Sequence, residues 1–214
     1  TDKFKDEQIE LIPLLQCYFN MLRNMGYITG ENEKIVLNPK GHVAIELNNA
    51  HEIISTELLY SGFFDDCTPE ETAALASCLI AQRQGKNNEC EDYPPNLVDK
   101  IDKMTEIGQY VQDQMIENAV PFDEEEFLSY NINPAATTPV YLWATGHPFE
   151  EIMRHAQTIL EGGIVRIIIM DHDLLKNFSN AAKVMGLKSL SEKFETAAEI
   201  IKRDIIFTGS LYLD

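Results

Sequence analysis

Residues 163–185 constrain the fold more than any other stretch, because two local rules disagree over them. Ile164-Val165-Arg166-Ile167-Ile168-Ile169 is β-branched almost throughout, and residue preference alone favours a strand. Over a longer window Ile164, Ile167, Ile168, Leu174, Leu175, Phe178, Ala181, Ala182 and Met185 fall on one helical face, broken only by Asp171. The other face reads Arg166, Ile169, Met170, Asp173, Lys176, Asn177, Asn180 and Lys183. A periodicity that persists through the whole segment outweighs a preference confined to its first turns, so one long helix is predicted.

The rest of the chain follows the same period. Ile12, Leu15, Tyr18, Phe19, Leu22 and Met25 predict a helix that begins beside Pro13 and stops at Gly26. Residues 34–37 and 42–47 look strand-like, with Val43, Ile45 and Leu47 alternating, and Asn38-Pro39-Lys40-Gly41 between them suits a tight turn. A small β-hairpin is the simplest reading. From His51 onward the pattern is helical. Thr68-Pro69-Glu70-Glu71 combines an N-cap hydroxyl, a first-turn Pro and a capping-box Glu, and Leu75, Cys78 and Leu79 continue that helix. Residues 84–95 form a polar, exposed loop. Leu97, Ile101, Met104, Val111 and Met115 mark the next helix, and Asp123-Glu124-Glu125-Glu126 sits at a further helix start, where acids complement the dipole. The last helix opens on a second capping box, Ser189-Leu190-Ser191-Glu192. It buries Leu190, Phe194, Ala197, Ala198, Ile201 and Ile205, and ends at Gly209. The chain is therefore mainly α: a helical bundle over residues 51–214 with one long helix, preceded in residues 1–50 by a helix and a small β-hairpin.

Composition narrows the function. The 214 residues carry a formal net charge of −18, which argues against a chain that wraps nucleic acid by itself. The charge is uneven: residues 1–146 hold 9 Lys/Arg against 25 Asp/Glu (−16), and residues 147–214 hold 8 against 10 (−2). Any surface that faces phosphate is expected in the last third. Cys17, Cys67, Cys78 and Cys90 show no metal spacing and read as buried free thiols. Asp171-His172-Asp173 does not read as a metal site, because neighbours one and two apart on a helix point to different faces. Arg203 and Asp204 read as a satisfied surface pair. No nucleophile–base constellation, phosphate loop or Asp-Glu-x-His occurs, so no catalytic residue is assigned. The longest near-apolar run, residues 164–170, contains Arg166 and is too short to cross a bilayer. Thr1 is followed by no signal-peptide pattern. The expectation is an intracellular piece, nuclear or cytoplasmic, of something longer, with no membrane partner.

The closing run Arg203-Asp204-Ile205-Ile206-Phe207-Thr208-Gly209-Ser210-Leu211-Tyr212-Leu213 resembles the carboxyl terminus of the DSHCT domain of superkiller-type, exosome-associated DExH-box RNA helicases. Met21-Leu22-Arg23-Asn24-Met25-Gly26-Tyr27 is similar to the end of that family's returning arch-stalk helix, and Lys40-Gly41-His42-Val43-Ala44-Ile45-Glu46 to the run that follows it. Thr56-Glu57-Leu58-Leu59, Gly62, Phe64, Trp143-Ala144, Gly146, Phe149 and Glu161-Gly162 continue in the family's order.

The resemblance implies an accessory domain of an ATP-dependent RNA helicase that acts with the exosome and its adaptor proteins. ATP and Mg²⁺ would be bound by RecA-like domains outside this chain, and the chain itself would hold no cofactor. Residues 163–185 correspond to the family's ratchet helix, which lies along single-stranded RNA, so the implied RNA-facing residues are Arg166, Met170 and Asp173. Arg166 matches a family Arg. Asp173 stands where the family shows Glu, and Met170 replaces an Arg, which removes a charge-assisted contact but leaves a side chain able to pack on a base. The alternative is a protein-interaction or scaffold module that has lost its RNA-reading face.

Overall fold

The computed structural model describes residues 2–31, 34–80, 93–156 and 159–203. Among them the chain forms ten α-helices and one two-stranded antiparallel ladder, with strands β1 (Ile28–Thr29) and β2 (Val36–Leu37). The helices are α1 (Asp2–Asn24), α2 (Pro39–Ile45), α3 (Glu52–Tyr60), α4 (Pro69–Ser77), α5 (Pro95–Glu117), α6 (Phe127–Asn131), α7 (Thr137–Ala144), α8 (Phe149–Met153), α9 (Glu161–Val184) and α10 (Lys188–Ile201). No described helix is long and apolar enough to cross a membrane.

The long helix forms as its periodicity demands. α9 buries Ile164, Ile167, Ile168, Leu174, Leu175, Phe178, Ala181 and Ala182, and lies antiparallel to α10. The two meet through Ser179 and Ser191 hydroxyls 2.9 Å apart and through Lys176–Glu199 and Lys183–Glu195 pairs. Phe178 stacks on Phe194 at 5.1 Å between centroids, and Phe64 meets both edge-on. Against this pair sits α4, whose Ala73, Ala74 and Ala76 are small enough to admit neighbours on every side. Its capping box forms: Thr68 Oγ1 accepts from Glu71 N–H at 3.2 Å, and Glu71 Oε2 accepts from Thr68 N–H at 3.1 Å. Glu71 also accepts from Lys100 and Asn96, so α5 is tied to the start of α4.

Three expectations need correction. Residues 42–47 are not a strand, because Pro39–Ile45 is α2 with Pro39 in the first turn. Val43 and Leu47 are buried (1% and 0% exposed) whereas Ile45 is 59% exposed. Positions 43 and 47 satisfy both a period of two and an i,i+4 repeat, and only the fate of Ile45 separates the two. A hairpin does form, but β2 pairs with β1, Ile28 opposite Leu37 and Thr29 opposite Val36. The second correction is that α1 does not begin beside Pro13 but runs through it from Asp2. The third concerns α10, which starts at Lys188 without a side-chain cap, so the Ser189–Glu192 box is not used. Gly186 ends α9 at φ +75°, and Leu187 already occupies the N-cap position. The polar loop over residues 84–92, Cys90, and the expected terminus of the last helix at Ile205 and Gly209 lie outside the described residues.

Ala119 is the one described non-glycine residue with positive φ (53°). It closes α5, with Val120 N–H donating to Met115 C=O and Ala119 N–H to Ile116 C=O. The left-handed conformation strains an L side chain, so Ala119→Gly should stabilise the chain by about 0.5–1 kcal/mol after the glycine's added unfolded-state entropy is subtracted. A urea melt showing no gain or a loss would mean that this turn is not strained.

Candidate nucleic-acid interface on α9

Arg166, Met170 and Asp173 stand at i, i+4 and i+7, and α9 brings them onto one face. Arg166 and Asp173 are exposed, and Ile169 beside them is 38% exposed. Met170 is half-buried, with part of its side chain packed against the core. The face is thus polar at its ends and apolar in the middle.

Its electrostatics are set by α10. Lys176 Nζ lies 3.1 Å from Glu199 and Lys183 Nζ 2.6 Å from Glu195. These lysine hydrogen bonds hold both carboxyls below the usual carboxylate range. Elsewhere in the last third, Arg154 and Lys188 pair with Glu150 and Glu192, and Lys202 lies within electrostatic reach of Glu199. Lys193 donates to the carbonyls of Phe64 and Asp65. Arg203 stacks on the Trp143 ring at 3.7 Å and donates to the carbonyls of Gly146 and His147. Arg203 is therefore anchored in the fold by these contacts; Asp204, the other half of the expected pair, lies outside the described residues. Arg166 is left with no hydrogen bond or ion pair to any described residue. It is the cation on this face whose charge is uncompensated, a property that no sequence rule could reveal without the position of α10.

Asp171, His172 and Asp173 diverge as helix geometry requires. Asp171 is fully buried, while the Asp173 side chain is 63% exposed and accepts from His172 Nδ1 at 3.3 Å. Neither Asp171 oxygen has a hydrogen-bond partner among the described residues, and burial pushes its carboxyl well above the ordinary range. Among the described residues no cluster of His, Cys, Asp and Glu could hold a metal ion. Cys67 and Cys78 are buried free thiols and Cys17 is half-buried. Burial pushes Cys78 up to about 12, which makes it unreactive. A groove of about 380 Å³ lies beside α1, lined by Leu15, Phe19, Arg23, Glu31 and Ile35, and includes no residue of α9.

The sequence model of the DSHCT (NUC185) domain matches residues 34–208. The chain is 34% identical over 199 residues to the exosome RNA helicase MTR4 of Homo sapiens, covering 93% of this chain and 18% of that protein. It is 32% identical over 211 residues to the DExH-box ATP-dependent RNA helicase DExH11 of Arabidopsis thaliana, covering 99% of this chain and 15% of that protein. It is 33% identical over 193 residues to the ATP-dependent RNA helicase mtr4 of Schizosaccharomyces pombe, covering 90% and 17%. The chain thus spans less than a fifth of the length of these relatives.

Proposed function

The chain belongs to the DSHCT (NUC185) domain family, and from that membership we propose that it is the C-terminal helical accessory domain of an ATP-dependent RNA helicase acting with the RNA exosome in RNA processing or decay. The match over residues 34–208, with relatives named as exosome and DExH-box RNA helicases, carries this reading. Residues 1–50 are read as the end of an arch stalk and 51–214 as the helical domain. ATP and Mg²⁺ belong to RecA-like domains elsewhere in the parent, against which this domain braces. The exosome and its adaptor proteins are the remaining partners, inside the cell, nuclear or cytoplasmic.

In this reading α9 guides single-stranded RNA. Arg166 offers a cation to phosphate or a base edge, and Ile169 with Met170 offers an apolar platform on which a base can lie. Asp173 repels a backbone that strays from that path. Most neighbouring cations are engaged within the fold, so binding by the chain alone is expected to be weak and salt-sensitive. Met170→Arg restores a second cation. Because Met170 is only half-buried, the guanidinium can reach solvent on its aliphatic stem with little loss of stability. Fluorescence anisotropy with a single-stranded oligonucleotide should show tighter binding and a steeper salt dependence. A fall in melting temperature with no gain in affinity would favour the second reading, a protein-interaction module, to which the −18 net charge and the internally paired lysines point.

A further inference from the structure

α1 is 23 residues long and packs on the rest of the described chain chiefly through β1. Met21 in its last turn and Met25 just after it are buried, whereas Leu15 and Tyr18 further out are 50% and 41% exposed. The helix is about 35 Å long at 1.5 Å per residue, so a 10° change at its base moves the far end by about 6 Å. What holds the base decides where the arm points.

At the base, one ammonium group joins three elements. Lys40 Nζ, from α2, lies 2.6 Å from Glu57 Oε1 on α3 and donates to the Met25 carbonyl at the end of α1 at 3.2 Å. It also sits over the rings of Tyr27 and Tyr60, at 4.8 and 5.6 Å from their centroids. The Tyr27 hydroxyl donates to the same Glu57 oxygen at 2.8 Å, and the Glu57 charge adds to burial in raising the tyrosine's pKa. Neutral hydrogen bonds support this centre. Gly26, at φ +80°, turns the chain so that Tyr27 N–H donates back to the Leu22 carbonyl. Asn38 donates to the carbonyls of Gly26 and Tyr27, and Asn24 donates to Asn118 at the end of α5. The Lys40 and Glu57 side chains are only 19% and 13% exposed, so solvent screens their pair less than the surface pairs on α10.

We propose that Lys40, Glu57 and Tyr27 form an electrostatic latch that fixes the direction in which α1 leaves the helical body, so that α1 is a rigid arm rather than a hinged one. The latch joins three elements through a single charge, and neutralising that charge releases all three contacts together. The hydrogen bonds of the Gly26 turn would survive, so the arm should loosen without the body unfolding.

Nitroxide labels at Gln16→Cys and Glu106→Cys, with Cys17 and Cys90 replaced by Ser, report the α1–α5 distance in the full chain by pulsed electron resonance. The unaltered latch should give one narrow distribution. Lys40→Gln should broaden it at least twofold while Lys40→Arg keeps it narrow, and the melting temperature should change little. Glu57→Gln keeps an acceptor for Tyr27 but removes the charge, and should broaden the distribution likewise. It decides the matter if Lys40→Gln does not fold. A broad distribution with the latch intact, or an unchanged width in the neutralised variants, overturns the latch. So does a drop in melting temperature at constant width, which would mark a general packing role.

Discussion

Asp171→Leu is expected to stabilise the chain by about 2–4 kcal/mol at neutral pH, since it removes a buried polar group that has no hydrogen bond to offset its desolvation. Asp171 interrupts the apolar face of α9, is 0% exposed, and has both oxygens without a partner among the described residues. Leucine is larger than aspartate, and the repacking it requires is already subtracted from that gain. The gain should depend on pH in a defined sense. The folded-state pKa lies above the unfolded value, so the carboxyl's full contribution to stability is present below about pH 4, where it is neutral in both states. As pH rises from there through the folded pKa, the unfolded chain loses the proton first and stability falls by up to about 1.4 kcal/mol per pH unit. The advantage of the Leu variant should therefore grow with pH. Glu71, Glu195 and Glu199, whose pKa values are lowered, change stability in the opposite sense, but they are common to both proteins and cancel in the difference. Urea melts from pH 4 to 8 read this directly. A difference that does not vary with pH would show that Asp171 is solvated or paired.

Trp143→Ala should be the most damaging single substitution, lowering stability by about 3–5 kcal/mol. The indole is 1% exposed, its Nε1–H donates to the Ile201 carbonyl at 2.8 Å, and its ring meets Phe149 edge-on and supports the Arg203 guanidinium. Truncation opens a cavity among α7, α8 and α10 and leaves the carbonyl that ends α10 with the Arg203 N–H alone as donor. Trp143→Phe keeps most of the apolar volume and loses the donor, so about 1–2 kcal/mol is expected from it. Calorimetry that found the two variants equal would show that the hydrogen bond, not the packing, carries the contribution of this residue.

What could be read from sequence depended on how local each signal is. α9 was legible because a repeat sustained along a whole helix outweighs five β-branched residues in its first turns. The Thr68 cap was legible because all of its atoms lie within four residues. Residues 42–47 were misread because Val43 and Leu47 satisfy two periods at once, and the exposure of Ile45 is a tertiary fact. The Ser189 box failed because the turn at Gly186 had already begun α10. At the interface, the shared face of Arg166, Met170 and Asp173 followed from spacing alone. The pairing of Lys176 and Lys183, which leaves Arg166 as the uncompensated cation there, required α10 to lie antiparallel to α9. The Lys40–Glu57–Tyr27 cluster joins residues 13 to 30 positions apart and carries no motif.

The role of α9 is tested most directly by photo-crosslinking. A single-stranded RNA carrying 4-thiouridine, irradiated with the chain at low salt, captures even a weak complex, and mass spectrometry locates the modified peptide. Crosslinks should concentrate on residues 161–176, around Arg166 and Met170, and Arg166→Glu should abolish most of them. Crosslinks that fall on α5 or the acidic turn at residues 123–126, or that persist unchanged in Arg166→Glu, would contradict an RNA path along α9.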